Sequence, residues 1–247
     1  MKMNTYMGKK ILSIIRDGDY AHPGEEEAID LLFQHIQKNI NRSMLDIGCG
    51  RGGTAHYLNA NGWGDITGVD IDSDSIQYAK QQYKSLDFIT CNIIDVSKYV
   101  NRQFDLVYMF NSFYAFDDQF AALESLKKVS KTSSSLLIFD YLDHGNYSKE
   151  QIMEGASPFL PHPIKRSHLQ NMLMKSGWFL TSITDISNEY EKWYSQFMGR
   201  VNLKEEEIIQ IGGDDAMETI CRLYGGLLKS IQKGMLGGAI VKAQASV

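Results

Sequence analysis

Between Ser43 and Gly53 the chain reads Ser43-Met44-Leu45-Asp46-Ile47-Gly48-Cys49-Gly50-Arg51-Gly52-Gly53, an apolar run with one carboxylate that breaks into glycines. Gly48 and Gly50 have no Cβ to hold a ligand off the backbone, and a helix beginning after the turn presents unpaired N–H groups to it. Gly48, Gly50 and Gly53 satisfy the G-x-G-x-x-G spacing of a dinucleotide turn. Asp46 argues for another ligand. Two residues before the first glycine, its carboxylate would oppose a diphosphate but can engage an ammonium group directly or through water. Asp70 closes the run Asp65-Ile66-Thr67-Gly68-Val69-Asp70. At the end of a strand in a nucleoside-binding fold it can accept hydrogen bonds from both ribose hydroxyls, with Ile71 covering an adenine face.

These residues need a parallel sheet and flanking helices to bring them together. Ser43–Ile47 reads as a buried strand and Gly53–Asn61 as the helix after the turn. Asp65–Asp70 reads as a second strand, and Asp72 as the N-cap of a helix to about Tyr83. Leu86–Asn92, Phe104–Phe110 and Ser133–Asp140 supply three more strands, the middle one almost wholly apolar. It delivers Asn111 to Phe116 to the carboxyl edge of the sheet, where ligands bind in open α/β folds. Asp117 or Asp118 caps a helix to about Lys131. Residues 145–163, with Pro158, Pro161 and Pro163, read as a loop or lid.

Upstream, residues 5–16 form an amphipathic helix broken by Asp17-Gly18-Asp19, and Pro23-Gly24 turns into a helix to about Lys38 whose first turn carries Glu25, Glu26 and Glu27. His35 on that helix reads as an ordinary surface or half-buried histidine. Downstream, Lys165–Lys175 is a helix and Trp178–Ile183 a strand. Ser187–Lys233 is helical with breaks near Gly199 and at Gly212-Gly213, too long for a simple crossover, and so a cap. Tyr190, Trp193, Tyr194 and Phe197 on it read either as cap core or as an aromatic wall for a cationic substrate. Leu236–Ala243 returns as the last strand.

A chain of 247 residues buries one core with an inserted cap more readily than two domains. Its net charge of -5 gives no general pull towards nucleic acid or anionic lipid. Three cysteines, Cys49, Cys91 and Cys221, are odd in number and lack metal-ligand spacing, as in a reduced intracellular protein. No stretch approaches the ~20 apolar residues of a membrane span, and no signal peptide or metal cluster is visible. The expectation is a soluble cytoplasmic protein, monomer or homodimer, with a small-molecule partner and no nucleic acid.

The run from Leu45 to Gly52 resembles the first motif of class I S-adenosylmethionine-dependent methyltransferases, and the order of elements is similar to that of small-molecule N-methyltransferases of the phosphoethanolamine and sarcosine/dimethylglycine type. The resemblance implies a doubly wound, Rossmann-like α/β fold with a seven-stranded sheet whose last strand is antiparallel. It implies one domain over 1–247, with an N-terminal lid at 1–24 and a helical cap at 187–234. S-adenosylmethionine would be the methyl donor and S-adenosylhomocysteine the product. Its contacts would be Tyr20, His22, Asp46, Gly48, Cys49, Gly50, Asp70, Ile71, Asn92, Ile93 and Phe110. Such enzymes often place an acid where Asn92 stands; Asn92 either offers its carbonyl oxygen to the adenine amino group or bonds its own loop. By the same analogy Tyr6 would lie over the transferred methyl and Tyr141 would contact the acceptor.

In-line displacement at a sulfonium methyl asks the protein to align atoms, exclude water and manage one acceptor proton. Tyr6, His22, Tyr141 and His144 are the candidates for that proton, His22 and His144 as groups that titrate near neutrality. Phosphobase enzymes have an aspartate where Asn111 falls and a histidine where Ala115 falls, so phosphoethanolamine itself is not the expected acceptor. A C-methyltransferase of quinone or polyprenyl biosynthesis, a catalytically silent S-adenosylmethionine-binding subunit and an NAD oxidoreductase are the alternatives.

Overall fold

Strand β1 (Ser43–Ile47) lies between β2 (Asp65–Asp70) and β4 (Phe104–Phe110), parallel to both. The computed structural model describes residues 2–246. Outward from this centre, β3 (Asp87–Thr90) adds to β2, and β5 (Ser130–Asp143) adds to β4, both parallel. Two two-residue strands, β6 (Met153–Glu154) and β7 (Ser157–Pro158), pair with each other, and β8 (Ile164–Lys165) joins the end of β5. Strands β9 (Trp178–Asp185) and β10 (Leu236–Ala245) complete the order β3-β2-β1-β4-β5-β10-β9, with β10 antiparallel to both neighbours. The architecture is the expected Rossmann-like one.

Alternation along the strands divides the core in two. Leu45, Ile47, Val107 and Met109 face one side, under α5 (Val96–Tyr99), α6 (Gln119–Lys128) and α7 (Arg166–Lys175). Met44, Leu106, Tyr108 and Phe110 face the other. There they meet α1 (Tyr6–Ile15), α2 (Glu25–Phe33), α3 (Gly53–Ala60) and α4 (Ser73–Gln82). Helices α8 (Ser187–Leu203), α9 (Glu205–Gly212) and α10 (Asp214–Gln232) fill the connection from β9 to β10 and pack on this same side. No helix among the described residues is long and apolar enough to cross a membrane.

Several boundaries differ from the sequence reading for physical reasons. Gly199 does not break the cap. Helix α8 runs through it to Leu203 because buried Phe197 and Val201 hold both sides, against a glycine cost of only about 1 kcal/mol. The break falls at Lys204, whose ammonium is bonded to Ile14 O and Asp17. Helix α2 stops at Phe33, where Ile36 N–H turns back onto Phe33 O, and this leaves His35 exposed. Asp118 is the acid that caps α6, accepting from Ala121 N–H at 2.9 Å. Residues 145–163 are more anchored than a free loop, since Phe159 and Leu160 are buried and Phe159 packs edge-on against Tyr224 of α10.

Candidate active site

The carboxyl ends of β1, β2 and β4 enclose a cavity of about 210 Å³ lined by Gly48, Asp70, Ile71, Asn92, Ile93 and Phe110 among others, with Asn4 and Lys9 on its N-terminal side. Chain reversal at Gly48 and Gly50 makes this space. Both have positive φ, +72° and +54°, which a side chain adopts only with strain. A Cβ on Gly48 would stand 2.5 Å from that of Ser112. The turn is held by Gly48 and Cys49 N–H groups donating to Val69 O.

Asp70 is the best-satisfied group in the cavity wall. Its Oδ2 accepts from Gly50 N–H at 2.7 Å and its Oδ1 from Asp72 N–H at 2.9 Å, while the Lys9 ammonium lies 3.1 Å from each oxygen. Ile71 beside it is 70% exposed, an apolar side chain at the cavity mouth. Asn92 Oδ1 accepts from Ile94 N–H at 3.1 Å, so its carbonyl oxygen serves its own turn.

Asp46 sits behind the turn rather than on the cavity wall, in register between Gly68 and Tyr108. It is 2% exposed, and Oδ2 has no hydrogen-bond partner among the described residues. Burial pushes its carboxyl up to about 8, with the facing Tyr108 hydroxyl pulling the other way and Asp70 adding repulsion. An orphaned, buried acceptor immediately before the glycine turn is the feature that a ligand ammonium, or a water bound to one, would satisfy. Cys49 also lies outside the cavity, its Sγ beneath Gly68, where burial raises the thiol well above its ordinary value.

His22 lies behind the cavity wall, backing Phe110. Its ring stacks on Phe110 at 4.4 Å, Nδ1–H donates to Pro23 O at 3.2 Å, and Nε2 accepts from the Thr54 hydroxyl at 3.0 Å. Desolvation lowers it to about 3, so it is a neutral ring and does not titrate near neutrality as its residue type alone implies. Tyr20 packs edge-on against it and donates to Glu26 at 3.2 Å.

The proposed acceptor-side groups are not gathered here. Tyr6 faces α4, 6.3 Å from the Tyr78 ring, with the Arg51 guanidinium against both rings. The Tyr141 hydroxyl bonds that of Tyr194 inside the cap's aromatic core, where burial raises its pKa well above an ordinary phenol's. His144 is exposed, 3.1 Å from the Ser187 hydroxyl.

Asn4 and Lys9 line the cavity although the sequence reading did not point to them, while Asn111 lies where the sequence places it, at the carboxyl edge of the sheet. Lys9 had a visible signal, since it falls among Gly8, Ile11, Leu12 and Ile15 on the buried side of α1, where a lysine needs a partner. Asn111 combines a left-handed backbone, φ +45°, with a buried Nδ2 lacking a hydrogen-bond partner among the described residues, while its Oδ1 accepts from the Tyr190 hydroxyl at 3.2 Å. Its backbone strain has no sequence signature.

Comparison with known proteins agrees with this geometry. A family model described as a methyltransferase domain matches residues 38–194. An O-methyltransferase, rstn1, of Aspergillus nomiae is 26% identical over 188 residues, 70% of this chain and 83% of its own. A phosphoethanolamine N-methyltransferase of Plasmodium falciparum is 27% identical over 141 residues, 56% and 53% of the two chains. The structure of Haemonchus contortus phosphoethanolamine N-methyltransferase 2, in complex with phosphomonomethylethanolamine and S-adenosylhomocysteine, superposes with a TM-score of 0.84 at 16% identity. It matches 98% of this chain, which spans 58% of the worm protein's. With the family model covering the glycine turn, the central strands and the start of the cap, the chain belongs to the methyltransferase-domain family, in its class I, S-adenosylmethionine-dependent form.

Proposed function

We propose that the protein transfers the methyl group of S-adenosylmethionine to a small-molecule acceptor in the cavity at the ends of β1, β2 and β4. The observation that carries this reading is Asp70, ionisable and fixed by Gly50 and Asp72 N–H groups at the cavity wall beside a glycine turn. The residues present fit the cofactor. Asp70 would hold the ribose hydroxyls, Ile71 and Ile93 the adenine faces, and Gly48 the close backbone approach, while Asp46, behind the turn, would meet the methionine ammonium through a bridging water. S-adenosylmethionine supplies the electrophilic sulfonium methyl when bound. What remains for the chain is alignment and dryness: Phe110, backed by His22, would form a rigid wall, Asn4 and α1 would cover one side as a lid, and Asn111 at the cavity wall would meet the acceptor.

Among the described residues no histidine lines the cavity, and Tyr141 is kept protonated by its burial. The reading is therefore of catalysis by positioning, with Asp117 and Asp118 as the carboxylates at the cavity wall, besides Asp70, that could pass an acceptor proton to solvent. The small acceptor is supported by the cavity size and by a negative net charge. Relatives are named for O-methylation and for phosphoethanolamine N-methylation, and both acceptor classes belong in the screen.

Titration calorimetry with S-adenosylmethionine and S-adenosylhomocysteine, with NAD as control, tests the cofactor. Micromolar binding lost in Asp70→Ala is the expected result. Binding to NAD alone would overturn it. Transfer of a labelled methyl to a hydroxylated or amine metabolite pool then tests the activity, and binding without any transfer would favour the silent subunit.

A further inference from the structure

The valences of Asp70 are full. An ionised carboxylate offers about four lone-pair sites. Gly50 N–H and Asp72 N–H take one on each oxygen, and the Lys9 ammonium, equidistant at 3.1 Å, takes the other on each. The two backbone donors belong to the turns that end β1 and β2 and cannot leave without undoing them. Lys9 can. It stands on a four-carbon stem, and a second carboxylate is already within reach, with Asp72 Oδ2 at 3.5 Å. Asp72 keeps an acceptor site for it while taking the Ser75 hydroxyl at 2.5 Å.

We propose that Lys9 is a positioning residue of the cofactor site, occupying the ribose-accepting valences of Asp70 and passing to Asp72 when ribose hydroxyls arrive, so that the seating of α1 is coupled to ligation. The proposal rests on the reading of the cavity as an S-adenosylmethionine site. Its physical content is an exchange of partners at one buried carboxylate, in which each hydroxyl replaces an ammonium hydrogen bond on Asp70 and the ammonium regains one on Asp72. Lys9 and Asp70 are 10% and 6% exposed at their side chains, so water does not dilute the competition. Helix α1 feels the exchange because Lys9 is one of its tethers to the sheet edge, the stacking of Tyr6 beside Arg51 and Tyr78 being another.

The roles of competitor and of simple support predict opposite signs. If Lys9 must leave, Lys9→Met removes a cost of binding. If it only holds Asp70 in place, Lys9→Met weakens binding. Calorimetry with S-adenosylhomocysteine is expected to show Lys9→Met binding about fivefold or more tighter than the parent. Lys9→Arg, which restores the cation, should return to the parent value. Hydrogen exchange across Tyr6–Ile15 should change on adding S-adenosylhomocysteine to the parent and not to Lys9→Met. Equal or weaker binding by Lys9→Met, with the parent binding normally, would overturn the proposal and leave the cofactor reading intact. No binding by the parent would overturn both.

Should Lys9→Met fail to fold, the isosteric Asp72→Asn decides. It still accepts from Ser75 but gives the ammonium no anionic destination, and it is expected to weaken binding; an unchanged affinity would overturn the exchange.

Discussion

The imidazole of His22 lies over the ring of Phe110 with centroids 4.4 Å apart and planes 28° from parallel. This stack joins the segment before α2 to the end of β4, and it removes the histidine from acid–base chemistry. Desolvation is the largest cause of its fall to about 3, outweighing the hydrogen bond to Pro23 O, with Arg16 adding a smaller repulsion.

A pH signature follows. Between pH 3 and 6.5 the unfolded chain protonates this ring and the folded chain does not, so unfolding takes up a proton and stability rises with pH across that window. Nitrogen-detected NMR is expected to find His22 as the neutral Nδ1–H tautomer at pH 5.5. A protonated ring at that pH would refute the assignment. Methyl transfer, whatever its acceptor, should show no pH break attributable to His22.

Asp46 and Asp140 act with the opposite sign. Both carboxyls are raised chiefly by burial, to about 8 and about 7, although Asp140 accepts from Phe113, Tyr114 and Tyr141 N–H groups. The folded chain therefore keeps protons that the unfolded chain has given up above about pH 4. Their stabilisation is complete below that value and is lost as pH rises through 7 and 8. Calorimetric melting between pH 6 and 9 should fall with pH, and Asp46→Asn should flatten the alkaline part of the fall. An unchanged slope in Asp46→Asn would show that Asp46 is ionised well below neutrality.

The same carboxyl links pH to ligation. If it meets the methionine ammonium, binding favours the ionised form, so at pH 6.5 binding of S-adenosylmethionine should release a proton. Titrations in two buffers of different ionisation enthalpy read that release directly, and equal apparent enthalpies would exclude it. Asp46→Asn should lose both the release and about tenfold or more of the affinity, the cost of a charge-assisted hydrogen bond of about 1.5–3 kcal/mol.

What the sequence made legible were features with a local physical cause. The glycines of the turn, the acid ending β2 and the apolar run of β4 each follow from backbone freedom, strand termination and two-sided burial, and the structure places Gly48, Asp70 and Phe110 on one cavity. What it hid were partners. Tyr6 and Tyr141 have suitable chemistry, but Arg51 and Tyr194 claim them from elements distant in sequence. The position of Lys9 on a helix says only that it needs a counter-ion, and Asp70 is supplied by a strand 61 residues away. The break at Lys204 escaped for the same reason, since a glycine is visible in sequence and the anchoring of a lysine to Ile14 and Asp17 is not.

Tyr141 gives a test of that distinction. Its ring stacks on Tyr194 and meets Tyr114 and Tyr190 edge-on, all within the aromatic packing between sheet and cap. Tyr141→Phe keeps those contacts and removes only the hydroxyl shared with Tyr194. The expected cost is about 1 kcal/mol of stability, seen in denaturant unfolding, with S-adenosylhomocysteine affinity unchanged. Loss of affinity with stability intact would instead place the hydroxyl at the ligand.

Gly48→Ala tests the turn itself. The residue sits at φ +72°, where an alanine is strained by about 1 kcal/mol or more, and its new Cβ would lie 2.5 Å from Ser112 Cβ and 2.9 Å from Ser112 Oγ. Ser112 cannot yield freely, because its hydroxyl donates to Ile47 O at 2.8 Å and so ties the end of β4 to the end of β1. The methyl must therefore push apart the two strand ends that bound the cavity. The expected result is a folded protein with a lowered melting temperature and S-adenosylhomocysteine affinity reduced by about a hundredfold, of the size seen when a small displacement spoils a bound geometry. Gly48→Ala/Ser112→Gly removes the clash while keeping the strain, and should recover part of the binding. Full affinity in Gly48→Ala alone would mean that the ligand does not approach this turn.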